Sequence, residues 1–283
     1  MQSYSIVLLD IDGTLIDDER KISTNTKCLL ERLEKQGIPV ILCSERYPDG
    51  VEFFVHQANL YSPIVCYSGN LILDSNRSIL QDYGIKTSDA ISFKKYANKY
   101  FPKVVVSTYL YNVWLVDDAD HPVIHMEANM IQCVPLCAPI ENALRNSDHV
   151  HSLSCIGSPQ EISALQKSAS PLFEDIQFLH SGPTSLEVLK KGISKKTAAE
   201  YLQKHYNIPR ERIVACGDQM VDLEMLEYAG FGIAMGNAPE QVKNAADCVT
   251  ASNKEEGVYI ALRRLRFKPP LVPVSAICSW NGR

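Results

Sequence analysis

The sequence lacks any surplus of positive charge: 28 Lys and Arg stand against 33 Asp and Glu, for a formal charge of -5. No overall positive field exists to hold a nucleic-acid backbone or an anionic membrane, which argues against nucleic acid as a main partner. It also lacks an apolar run approaching the about 18 residues of a spanning helix. Asp10, Asp12, Asp17 and Asp18 break up the region where a signal peptide would need a clean apolar stretch, so a cytoplasmic protein with no membrane partner is expected. Internal repeats, low-complexity tracts and long Gly/Ser linkers are missing as well. There is no even set of cysteines to suggest a disulfide framework. The count is nine, and Cys43, Cys66 and Cys216 fall inside apolar, strand-like runs, where a thiol behaves as a small hydrophobe.

What is present is ample apolar material. Hydrophobic residues make up 46% and charged residues 22% of 283 residues, enough for a soluble globular protein of two domains. The apolar run Ile6 to Leu9 ends abruptly in Asp10, Ile11, Asp12, Gly13 and Thr14, which reads as a buried strand with a polar loop at its carboxyl end. A helix is expected from Asn25 to Gln36, a strand from Ile38 to Cys43, a helix from Gly50 to Ala58 and a strand from Pro63 to Tyr67. That alternation is the grammar of a parallel sheet. After Ile79 it changes. A helix over Ser88 to Tyr100, strand-like runs Val104 to Leu110, Tyr111 to Val116 and Val150 to Ile156, a helix from about Pro159 to Ser168 and a strand Ile176 to His180 suggest an α+β unit. Parallel grammar is expected to resume at Ser185 to Leu189 and to continue through Lys195 to Tyr206, Ile213 to Cys216, Asp222 to Tyr228 and Phe231 to Met235. The expected architecture is a doubly wound α/β core, residues 1–80 and 185–267, with an α+β cap, residues 81–184, inserted between its halves. Pro269, Pro270 and Pro273 mark residues 268–283 as an extended tail.

Ligands of open parallel sheets bind outside the carboxyl ends of the strands, so polar clusters that follow apolar runs draw the eye. Four stand out: Asp10 to Thr14, Ser44 to Arg46, Gly192 to Lys195, and Gly217 to Asp222. Each alone is compatible with ordinary turn or cap chemistry. Together and in this order they resemble the motifs of the haloacid dehalogenase superfamily, specifically its Cof-type sugar-phosphatase-like branch with a C2B-type cap. The stretch Leu8 to Leu15 resembles the first motif, Lys195 the third, Gly217 to Asp222 the fourth, and Ala234 to Ala238 a stretch that usually follows.

The resemblance implies hydrolysis of small phosphorylated metabolites (a sugar phosphate, nucleotide or phosphorylated cofactor) through an aspartyl-phosphate intermediate. Asp10 would be the nucleophile and Asp12 the acid/base that serves the leaving oxygen and then the water. Gly13 would let the chain turn tightly beside the phosphate, with Thr14 supporting the loop. Carboxylates gathered around an anion call for a hard cation, and the resemblance assigns Mg²⁺ to the Asp10 carboxylate, the Asp12 carbonyl and the Asp218 carboxylate. Ser44 and Lys195 would hold the phosphate, with Asp222 orienting Lys195 and Asn237 in support.

Two positions depart from the pattern. The second motif usually has Gly where Glu45 stands, and the fourth usually has Asn where Val221 stands. These departures keep a catalytically weak phosphometabolite-binding protein open as an alternative; a phosphomutase or phosphotransferase is a further alternative that the resemblance allows, since relatives with a similar cap transfer the phosphoryl group. Cys133, Cys137, His149, His151 and Cys155 match no compact zinc spacing and are read as scattered structural Cys and surface His. His121 and His125 are read as loop or surface residues because Pro122 argues against a helix interior. Tyr109, Tyr111 and Trp114 fit packing and strand propensity, with a pocket lining as the alternative.

Overall fold

The computed structural model describes residues 3–131, 133–144 and 149–270. The chain divides into two compact units, 1–43 with 55–64 and 195–283, and 44–54 with 65–194. The expected tail beyond residue 270 lies outside the described residues. Its beginning is described: Lys268 donates its backbone N–H to the Tyr4 carbonyl at 2.8 Å, and Ser5 Oγ donates to the Lys268 carbonyl. Among the described residues no helix is long and apolar enough to cross a membrane. The eight described cysteines are free thiols, and burial pushes Cys43 up to about 12.

In the first unit five strands lie parallel in the order Cys248–Val249, Phe231–Ala234, Ile213–Gly217, Ile6–Leu9 and Val40–Cys43. The strands Ile6–Leu9, Val40–Cys43 and Ile213–Gly217 are buried at every position, which explains why they read as continuous apolar runs. Leu9 is in register with both Leu42 and Cys216. From the central Ile6–Leu9 strand the chain runs to one neighbour early and to the other only after residue 212. The strand order therefore reverses beside Asp10, the place where open α/β sheets form their ligand crevice. The helix Thr24–Lys35 starts where Ser23 accepts a hydrogen bond from the Thr26 N–H and buries Leu29, Leu30 and Leu33 on one face.

The second unit is built on a six-stranded sheet in the order Ile176–Gly182, Ser185–Lys190, Ser152–Ile156, Val105–Leu110, Val113–Val116 and Leu136–Cys137. All neighbours are antiparallel except the last pair. Helices Thr87–Tyr100 and Pro159–Ala169 supply Ala90, Phe93, Ala97, Ile162 and Leu165 to its core. Pro159 follows the capping box of Ser158 and Glu161, the arrangement that starts a helix without an orphaned donor.

One expectation is corrected here. Ser185–Lys190 does not resume the parallel sheet; it is an antiparallel strand between Ser152–Ile156 and Ile176–Gly182. Its alternation, with Leu186 and Val188 buried between less buried neighbours, is the signature of a sheet covered on one apolar face. His121 and His125 are loop and surface residues as expected: His121 precedes the helix Pro122–Ile131, and His125 is exposed on it. Pro122 occupies its first position, where the missing N–H costs nothing, and the His121 ring accepts from the Val123 N–H at 3.2 Å.

Candidate active site

The first unit gathers its charged groups where the strands end. Asp10 follows Ile6–Leu9 directly and donates its backbone N–H to the Cys216 carbonyl at 3.1 Å. Lys195 opens the helix Lys195–His205 and is fully buried. A buried ammonium survives only if it is paired, and this one is paired twice. Its Nζ donates to Asp10 Oδ1 and to Asp222 Oδ1, both at 2.6 Å. Asp222 Oδ2 in turn accepts the backbone N–H groups of Asp218 and Gln219 at 3.0 Å each. Both Asp222 oxygens are thus engaged, which makes it the residue that orients Lys195.

Asp218 is held from the other side. Thr14 Oγ1 donates to its Oδ1 at 2.9 Å, while Gln219 Nε2 and Asn237 Nδ2 donate to its Oδ2 at 3.0 and 3.1 Å. Asn237 also donates to the Gly13 carbonyl at 2.8 Å, which fastens the first loop to the fourth. Two glycines make this approach possible. A Cβ on Gly13, whose φ is +79°, would lie 2.3 Å from Asp218 Oδ2, and one on Gly217 would lie 2.5 Å from Asp222 Cβ.

The carboxylates crowd one another. Asp10 is raised well above the ordinary range, by burial first and then by Asp222, with Lys195 pulling the other way. Asp218 is pushed up to about 6 by burial and Asp222, against the Thr14 and Gln219 hydrogen bonds. Ligand oxygens of Asp10, Asp218 and Asp222 lie within 4.8 Å of one another, with one lysine among them. A hard divalent cation fits this donor set, since it would relieve the repulsion that raises Asp10 and Asp218. Asp12 is exposed, and its backbone forms an isolated bridge with Ile16.

Of the residues singled out from sequence, Asp10, Thr14, Lys195, Asp218, Asp222, Gly13 and Asn237 therefore meet in the first unit. Ser44 belongs to the second unit, buried, its Oγ accepting the Arg46 N–H at 3.2 Å and its carbonyl accepting the Ser68 N–H. Sequence reasoning missed Gln219, whose amide reaches Asp218 while the neighbouring Val221 contributes none. It also passed over Tyr67 and Ser68, which hold left-handed φ values of 51° and 53° in a buried turn after Ile64–Cys66. Non-glycine residues adopt such angles rarely and at a cost, so the strain itself is a signal that composition does not carry.

The reading of His149 and His151 as scattered surface residues is corrected: His151 is buried, His149 is half-buried, and both meet a third residue. His149 Nε2 and His151 Nε2 lie 2.7 and 3.1 Å from Asp82 Oδ1, and Tyr111 Oη donates to Asp82 Oδ2. The Tyr111 backbone N–H donates to His151 Nδ1 at 3.1 Å, so the ring proton sits on Nε2 and is given to Asp82. Burial pushes His151 down to about 4, in keeping with a neutral donor.

Comparison with known proteins places this geometry. The family model described as haloacid dehalogenase-like hydrolase matches residues 7–262. The chain belongs to that family. A Haemophilus influenzae protein provisionally named a phosphatase is 29% identical over 92% of this chain and 97% of its own length. The Bacillus subtilis 5-amino-6-(5-phospho-D-ribitylamino)uracil phosphatase YitU is 28% identical over 89% of this chain and 94% of its own. Among solved structures, a haloacid dehalogenase-like hydrolase from Bacteroides thetaiotaomicron superposes with a TM-score of 0.84 at 26% identity, covering 93% of this chain and 99% of that one.

Proposed function

We propose that this family member, a phosphoric monoester hydrolase, is a magnesium-dependent phosphatase of small phosphorylated metabolites that works through Asp10. The observation that carries the reading is the buried chain Asp10–Lys195–Asp222 beside Asp218. It combines a carboxylate at a strand end with a cation that fixes one of its oxygens. Asp10 attacks phosphorus through Oδ2, the oxygen that Lys195 does not hold, and the bond from phosphorus to the leaving oxygen breaks. Asp12 gives that oxygen its proton. Water then attacks the aspartyl phosphate, returns a proton to Asp12 and releases inorganic phosphate, which regenerates Asp10. Mg²⁺, when bound by the Asp10 and Asp218 carboxylates and the Asp12 carbonyl, neutralises charge on the transferring group. Ser44 and Lys195 hold the phosphate oxygens, Lys195 being held in turn by Asp222.

We assign the catalytic groups Asp10, Asp12, Lys195 and Asp218 to a core domain and count Ser185–Lys190 in the sheet of an inserted cap. Two amides on Asp218, from Gln219 and Asn237, favour turnover over the weak-binding alternative, because they supply hydrogen bonds that Val221 cannot. Phosphate release from an aryl phosphate and a sugar-phosphate panel, with and without Mg²⁺, tests the reading on native protein and on Asp10→Asn. Activity that needs both the metal and Asp10, falling by about 10³ or more in the variant, is expected. Folded protein that is inert throughout overturns it, and an isomerised sugar phosphate without free phosphate points to transfer instead.

A further inference from the structure

The six-stranded sheet of the second unit has two faces. One is polar and carries Ser107, Tyr109, Trp114, Ser152, Ser154 and Glu187, which stand opposite one another across its strands. The other joins Leu115, Leu153 and Val188 to Phe93 and Ala97 of the helix Thr87–Tyr100 in one apolar core. Lys94, next to Phe93 on that helix, is only 3% exposed, and lysine is almost never buried so fully unless it is paired.

A buried ammonium has three donors to satisfy. The countercharge here is Asp117, whose Oδ1 lies 2.8 Å away but outside hydrogen-bonding geometry, so the Lys94 Nζ has no hydrogen-bond partner among the described residues. The Asp117 side chain is half exposed, and its Oδ2 accepts from Asn98 Nδ2 at 3.2 Å. Lys94 and Asp117 line a cleft of about 340 Å³, the size of a small-molecule site. Its remaining walls are largely apolar, from Ile91, Ala138, Pro139 and Ile140. A second opposed pair, Lys95 and Glu141 at 3.1 Å, is exposed to solvent, and Glu141 also lies in the field of Lys94.

These charges decide what fits. A simple anion answers Lys94 but meets Asp117 and Glu141, and a simple cation answers the carboxylates but leaves the Lys94 donors unsatisfied. An uncharged apolar molecule answers neither. A molecule with opposite charges on neighbouring carbons mirrors the adjoining Lys94 and Asp117, and an apolar side chain on it matches Ile91 and Ile140.

We propose that this cleft binds an apolar α-amino acid, its carboxylate on the Lys94 Nζ, its ammonium on Asp117 and Glu141, and its side chain against Ile91, Ala138 and Ile140. The cleft lies wholly within the second unit and shares no residue with the hydrolytic groups, so the proposal stands apart from the phosphatase reading.

Calorimetric titration of the full-length protein with L-leucine tests it, beside leucinamide, which lacks the carboxylate, and 4-methylpentanoate, which lacks the ammonium. L-leucine is expected to bind saturably and each analogue at least about tenfold more weakly, because each leaves one side of the charge pair unanswered. Ala138→Trp fills the cleft while leaving every charge in place and is expected to abolish binding. Glu141→Gln, at an exposed position, is expected to weaken it roughly threefold. Lys94→Met is expected to equalise L-leucine and leucinamide; should that variant fail to fold, the analogue comparison and Ala138→Trp decide without it. No saturable binding of L-leucine, or binding that Ala138→Trp leaves intact, overturns the proposal. So does either analogue binding as tightly as L-leucine, which would make the cleft a plain carboxylate or ammonium site.

Discussion

The strand ends of the first unit and the polar face of the second both draw carboxylates away from water, but they settle the cost in opposite ways. At Asp10, Asp218 and Asp222 the negative charge is met on the spot by the Lys195 ammonium, two backbone N–H groups, one hydroxyl and two amides. At Glu187 the strongest neighbouring charges are Glu45 and Glu127, of the same sign, and hydroxyls are the groups that offset them. A site that supplies its own countercharge is organised for chemistry at a fixed point. A cluster that does not must hold a proton instead, and so becomes sensitive to pH.

The sharpest way to break this contrast is to remove the countercharge. Lys195→Met keeps the length of the side chain and leaves Asp10 and Asp222 buried without their shared cation. Breaking one partner of a buried ion pair costs about 3–5 kcal/mol. Chemical denaturation is expected to show a loss of that order, together with loss of nearly all phosphate release, and Mg²⁺ should restore part of the stability by relieving Asp10. A variant as stable as the native protein would mean that Lys195 does not hold the carboxylates together. In the second unit no equivalent lysine acts on Glu187 among its strongest neighbours, so the corresponding change there, Glu187→Gln, has no comparable penalty.

A smaller effect separates backbone strain from site geometry. Gly13 and Gly192 have similar left-handed φ values, +79° and +81°, but a Cβ on Gly13 meets Asp218 Oδ2 at 2.3 Å, whereas one on Gly192 meets nothing within 4 Å. Gly13→Ala and Gly192→Ala should each lose about 1 kcal/mol from strain. Only Gly13→Ala should also raise the Mg²⁺ concentration needed for half-maximal activity, because it displaces Asp218. Equal metal requirements in the two variants would show that the tight approach of the loops has no bearing on the metal.

These contrasts also explain what the sequence made legible. Asp10, Gly13, Thr14, Lys195, Asp218 and Asp222 sit in short contiguous motifs at strand ends or helix starts, where a few residues determine both conformation and chemistry. The three fully buried strands announced themselves as apolar runs, and the Thr24–Lys35 helix by its spacing of leucines. Ser185–Lys190 was misjudged because five or six residues of apolar character do not say which sheet they join. Its two-residue alternation was the available clue. The polar face lay out of reach for a different reason. Ser107, Tyr109, Trp114, Ser152, Ser154 and Glu187 come from four strands spread over about eighty residues, and strand register, which local sequence does not specify, brings them together. Asp82, His149 and His151 illustrate the same limit, since the two histidines were visible and the aspartate that joins them was not.

The smallest expected effect is the pH dependence that Glu187 imposes on stability. Its carboxyl is raised from the ordinary value of 4.5 to about 8 in the folded chain, by burial, Glu45 and Glu127. Between those values the folded state holds a proton that the unfolded state has released. The contribution is therefore complete below about 4.5 and is lost as pH rises through about 8, the opposite of a salt-bridged carboxylate. The Tm of the native protein should fall from pH 5 to pH 8.5 more steeply than that of Glu187→Gln, whose amide carries no titrating proton. Parallel profiles for native protein and Glu187→Gln would place the proton elsewhere.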